Sequence, residues 1–195
     1  HNILFLFFGF LLFIFCIKDK FNSYKKELKN TLIIFSILIC AIFIFKSHDD
    51  FGYYHFPYTY YLIEQKIIIG LGQILQGFRT PSSIFYFNSI LYLPFAEYYL
   101  FNLFPVYILG FSNLILIKKI FTNDSNKNLI YLKYLSLLAF IFINIFFYRI
   151  GEHGTDRSAQ ILIFILIIEI LNQISKIKID KKNLNEIYFL TCIII

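Results

Sequence analysis

The sequence predicts an all-α fold, a polytopic transmembrane helix bundle. Three observations lead there. The 195 residues are 58% hydrophobic and only 15% charged, more apolar surface than a soluble domain of this size can bury. The apolar residues fall in blocks close to the roughly 20 residues a helix needs to cross about 30 Å of hydrocarbon. The lysines crowd into every other connection between the blocks.

Taken in order, the spans lie at about 2–17, 31–46, 97–117, 129–148, 158–175 and 187–195. Five are complete or nearly so, and the sixth only begins. Lys46 closes the short second span, where its stem reaches the interface. Pro105 removes one backbone donor inside the third and predicts a kink there. The chain opens at His1, contains no Met and closes within an apolar run, so residues 1–195 read as one N-proximal fragment of a multi-pass membrane domain. Cys16, Cys40 and Cys192 sit far apart in apolar runs, without disulfide or zinc spacing.

Connections 18–29, 118–133 and 176–182 carry five, four and four lysines. The outer loops, 47–96 and 149–157, are poor in lysine. The positive-inside rule therefore places the Lys-rich loops in the cytoplasm. It also accounts for the net charge of +6 without a nucleic-acid partner. The three arginines, Arg79, Arg149 and Arg157, and three of the four histidines, His48, His55 and His153, all fall on the outer side. Arg offers a planar fork for phosphate or carboxylate that Lys does not.

The first outer loop is long and apolar. Stretches 58–78 and 82–95, rich in Tyr and Phe, predict short interfacial helices. The second stretch starts after Pro81 with serine caps and ends at Pro94. Re-entrant packing against the bundle is the competing picture for both.

Two polar stretches carry chemistry. In HDDFGYYHFPY, residues 48–58, Asp49 and Asp50 stand between His48 and His55. Adjacent carboxylates repel unless a cation or donor offsets the charge. Such a pair suits a general base, or a divalent cation such as Mg2+ or Mn2+. The plainer reading is that one Asp caps a helix and the other is solvated. In RIGEHGTDR, residues 149–157, Thr155 and Asp156 suit a helix cap. A cap does not explain Glu152, His153, Arg149 and Arg157 in the same turn. Carboxylates and arginines at a membrane surface suit a phosphate-bearing lipid headgroup. Arg149 and Arg157, with Arg79 a further candidate, would hold the phosphate. Asp49 or Asp50 would act as base or metal ligand, while Glu152, His153, Asp156 and His55 would position donor or acceptor. Glu169, near the cytoplasmic end of its span, and Glu97 read as snorkelling acids rather than site residues.

An acidic pair opening a long outer loop, followed by two interfacial stretches, resembles the GT-C superfamily of membrane glycosyltransferases. HDDFGYYHFPY followed by GLGQILQGFRTPSSIFYFNS also resembles an uncharacterised bacterial membrane protein group related to it. The resemblance covers mainly residues 31–117 and more loosely 118–175, with one extra span ahead of the acidic loop. It implies a protein of the bacterial cytoplasmic (inner) membrane. Such a protein would move a sugar from a polyprenyl-phosphate donor to an outward-facing lipid or glycan acceptor. A transporter or flippase of lipid-linked glycans, or a non-catalytic accessory protein, would use the same arginines without bond chemistry.

Overall fold

The computed structural model describes residues 2–18, 21–43, 49–66, 69–79, 82–101, 103–121, 127–146, 156–175 and 181–194. Among the described residues the chain is helical, with no strand and one isolated bridge between Leu93 and Glu97. It divides into two compact units, residues 1–107 with 151–154, and residues 108–150 with 155–195.

The first unit begins with α1 (Asn2–Lys18) and α2 (Phe21–Phe43). α2 starts ten residues before the expected 31, because Lys25, Lys26, Glu27 and Leu28 are good helix formers. Most of the first Lys-rich connection is therefore helix rather than loop. Within α2, Thr31 and Ser36 donate their hydroxyls back to Glu27 O and Leu32 O, at 2.8 and 2.7 Å. These hydroxyls are satisfied locally, as an apolar surrounding requires.

The HDDFGYYHFPY stretch is helix from Asp49 on, not the irregular start of an outer loop. A single π turn, Phe51–His55, runs straight into α3 (Phe56–Glu64). Pro57 supplies the reason: it has no N–H to give to Tyr53 O, and its ring crowds that carbonyl. The ladder widens there, and the Phe56 amide bonds to Phe51 O, five residues back. After α3, the expected helix over 58–78 is broken into α4 (Leu71–Ile74) and a 3₁₀ turn, Gln76–Phe78. Gly70, at φ +88°, makes the left-handed entry into α4. α5 (Ser83–Ile90) is capped by Ser82, whose Oγ accepts from the Ile84 amide at 3.4 Å. It ends well before Pro94.

These short elements share a core of Tyr58, Phe78 and Phe85, with Tyr54, Leu62, Leu71 and Leu75 packed on it. The Tyr58 ring lies 5.4 Å from both Phe78 and Phe85, at tilted angles favourable to aromatic quadrupoles. Asn2 anchors the start of α1 to the same region, donating to Ser89 O at 2.9 Å.

α6 (Leu103–Phe121) begins in the first unit and continues in the second. It starts later than expected, so Pro105 lies in its first turn. A missing N–H costs nothing there, and the expected mid-helix kink loses its cause. The second unit continues with α7 (Lys127–Phe146), α8 (Asp156–Ile174) and α9 (Lys181–Ile194). α8 buries Ile161, Ile165 and Ile168 at helical spacing, and α7 buries Leu132, Ser136, Ala139 and Ile143. Small buried residues on these faces, Ser112, Ser136, Ala139 and Ser158, let backbones approach closely.

Two helical stretches, Tyr98–Phe121 and Arg157–Ile174, are long and apolar enough to cross a membrane by length and composition. Asn2–Cys16 and Ile130–Phe146 are apolar but shorter.

Candidate functional site

In the first unit, the segment Gly70–Arg79 folds back against α3 and α5 and leaves a cavity of about 540 Å³. Three tyrosines, Tyr58, Tyr61 and Tyr86, give it rings and hydroxyls. Lys66 and Arg79 give it positive charge, and Gln65 and Gln73 give it amides. Among the described residues, none that lines it is Asp or Glu.

Glycines decide how this segment closes. A Cβ on Gly72 would lie 3.1 Å from Arg79 Cα, so any larger residue would press the Arg79 backbone back by a few tenths of an ångström where the two ends of the loop meet. There the Arg79 Nε donates to Gly72 O at 3.1 Å. This bond fixes the plane of the guanidinium, although the side chain is otherwise exposed. Gly77 sits directly on Tyr54: a Cβ there would come within 2.6 Å of Tyr54 Cβ. The π turn that carries Tyr54 is thereby seated on the cavity-forming segment.

The hydroxyls of Tyr58 and Tyr86 lie 3.2 Å apart. Burial pushes the Tyr58 phenol up to about 12, and its bond to the Tyr86 hydroxyl adds to the shift. Tyr58 is therefore neutral at any physiological pH and available as a donor or acceptor toward a ligand hydroxyl.

The residues expected to form the site are distributed more widely. Asp49 is exposed and Asp50 is half-buried at the start of the π turn. The Asp50 side chain makes no capping hydrogen bond, so the plain helix-cap reading does not account for it. Neither carboxylate lines the cavity. His55 is 3% exposed, with its ring 4.3 Å from that of Tyr54 and 5.5 Å from that of Phe85, centroid to centroid. Its carbonyl accepts from the Thr59 hydroxyl at 2.9 Å. His55 thus packs into the core beneath the cavity and does not line it. Arg79 lines it. Asp156 and Arg157 open α8 in the second unit, where Arg157 is half-buried. Arg149, Glu152 and His153 lie outside the described residues.

Lys66, Gln65, Gln73 and Tyr86 were not anticipated as site residues. The available signal was a cation on either side of the glycine-rich GLGQILQG, within a run too polar to be plain lipid anchor. Among the described residues no group of three or more His, Cys, Asp or Glu could hold a metal ion. The Asp pair would hold Mg2+ or Mn2+ only together with oxygens from a substrate, a common arrangement for Mg2+.

In the second unit, Glu169 has a cation beside it. It pairs with Lys119 of α6 at 2.8 Å, with both side chains largely buried, and accepts from Asn172 at 3.4 Å. Asn113 and Asn144 bond reciprocally at 3.1 and 2.8 Å, joining α6 to α7.

Comparison with protein-family models, with curated proteins and with solved structures gives no match to this chain.

Proposed function

We propose that the protein is a multi-pass membrane glycosyltransferase of GT-C type. It would take a sugar from a polyprenyl-phosphate donor and pass it to an outward-facing lipid or glycan acceptor. The observation that carries this reading is the seating of Tyr54 on Gly77. It packs the helical turn that follows Asp49 and Asp50 against the segment that builds a cation- and tyrosine-lined cavity. A base and a phosphate holder are the two parts such a transfer needs. In this reading Asp50 accepts the proton of an acceptor hydroxyl as that oxygen attacks the anomeric carbon. The bond from that carbon to the phosphate oxygen breaks, and the electron pair leaves on the lipid phosphate, whose charge Arg79 holds. Arg149 and Arg157 would also bind phosphate, and Glu152, His153 and Asp156 would position donor or acceptor. Asp49 or Asp50 would hold a Mg2+ or Mn2+ ion, which would supply positive charge to the leaving phosphate. The Lys-rich connections would face the cytoplasm of a bacterial inner membrane.

The test is transfer from a radiolabelled polyprenyl-phosphate sugar by the full-length protein in lipid. Asp50→Asn should lower turnover by about 10²–10⁴-fold while leaving membrane insertion intact. Normal turnover in that variant removes Asp50 as the base.

A second reading is favoured by the described lining residues of the cavity, which include cations and no carboxylate. A flippase or carrier needs to bind the headgroup without attacking it. It predicts that Asp50→Asn binds and moves the lipid at near wild-type rate.

A further inference from the structure

We infer that the cavity between α3, the Gly70–Arg79 segment and α5 is a phosphate-ester site. Arg79 and Lys66 would hold the phosphate, and the three tyrosines would hold the hydroxylated group esterified to it. This rests on and deepens the reading of the same segment given above, where Arg79 holds the phosphate, by adding Lys66 as its partner and the tyrosines as the site of the esterified group.

Charge is the first support. Among the described lining residues, Arg79 and Lys66 bring positive charge and none is a carboxylate, so the cavity's field favours an anion. Preorganisation is the second. Arg79 spends its Nε on Gly72 O, which orients the fork and leaves the two terminal amino groups for a ligand. The loop that achieves this uses glycine at position 72 for close approach and at position 70 for positive φ. Size and lining are the third. A bare phosphate has no use for about 540 Å³ or for three tyrosine rings. The volume lies in the range of roughly 300–1,000 Å³ usual for small-molecule sites. Tyr58 and Tyr86 present paired hydroxyls, and Gln65 and Gln73 present amides, which together suit a polyol such as a sugar. Such a phosphate ester could be a membrane lipid headgroup or a soluble sugar phosphate.

The experiment is calorimetric titration of the full chain in phosphatidylcholine nanodiscs. The probes are a polyprenyl monophosphate placed in the disc, glucose 1-phosphate in solution, and methyl glucoside as the neutral control. Binding of a phosphate probe, weakened by salt, with no binding of methyl glucoside, is expected. A response to the polyprenyl phosphate alone assigns a lipid headgroup, and a response to glucose 1-phosphate assigns a soluble ester. Arg79→Gln and Lys66→Gln should each weaken binding by about tenfold. Lys66 lies outside every helix, so its variant keeps the test valid if Arg79→Gln disturbs the loop. Equal binding of methyl glucoside, absence of binding by both phosphate probes, or unchanged binding in both variants overturns the site. Phosphate binding lost in Arg79→Gln together with normal transfer in Asp50→Asn leaves this site standing while the proposed base falls.

Discussion

Gly77 is set by its neighbour rather than by its own backbone. The atoms that a methyl group would strike are Tyr54 Cβ and Cγ, which cannot swing aside as a flexible side-chain end would. Gly77→Ala should therefore cost about 1–3 kcal/mol, the range for overpacking, and loosen the cavity segment. Thermal unfolding in detergent, followed by helical signal, reads this directly, and an unchanged midpoint would contradict the packing. Tyr58 makes a pH prediction at the same scale. Its phenol is raised from 10 to about 12, so the folded state holds that proton more tightly than the unfolded chain. The stabilisation is fully present below pH 10 and is lost as pH rises through 12. Tyr58→Phe should flatten the loss of stability between those values. In an alkaline absorbance titration it should remove one late-ionising phenol from the fifteen tyrosines.

Helix existence was legible at the level of elements, and helix ends much less so. The apolar runs announced α1, α7 and α8 within about two residues, because an uninterrupted apolar block has little else to do. The start of α2 was hidden by treating lysines as loop markers, when Lys and Leu are also strong helix formers. The π turn had no signature in hydropathy. Its cause is the missing amide of Pro57, which acts on a ladder that sequence periodicity does not display. The cavity was partly legible. Arg79 stood out as one of three arginines, but Lys66 joins it only because the chain reverses at Gly70. The partner of Glu169 was not legible, because Lys119 lies fifty residues away on another helix. Glu169→Gln should destabilise the second unit by about 1–3 kcal/mol, since it leaves Lys119 charged and largely buried. Adding Lys119→Leu to Glu169→Leu should recover most of the loss. A double-mutant cycle of unfolding free energies with no coupling between the two positions would refute the pair.

For the whole molecule, the lysine distribution proposes an orientation for a chain with two membrane-length helical stretches among its described residues, Tyr98–Phe121 and Arg157–Ile174, and labelling tests it. With the three native cysteines replaced, a cysteine at Gln65 should react with an impermeant maleimide in intact cells. One at Lys25 should react only after the membrane is opened. The reverse pattern would put the tyrosine-lined cavity on the cytoplasmic side and give it a cytoplasmic substrate. The seating of Tyr54 on Gly77 is a short-range contact, so the cavity and the acid-bearing turn respond together to changes in the 70–79 segment.

The π turn has one more consequence. Five residues, Phe51–His55, make a loop of helix that an ordinary ladder would close with one fewer. A regular α-helix advances about 100° for each residue. The single surplus residue therefore sets the azimuth of Asp49 and Asp50 relative to the core face of α3. The direction in which the acids point is a matter of counting, not of any side chain's identity. An insertion or deletion of one residue upstream of Phe56 would re-aim the pair while leaving the composition of the helix almost unchanged.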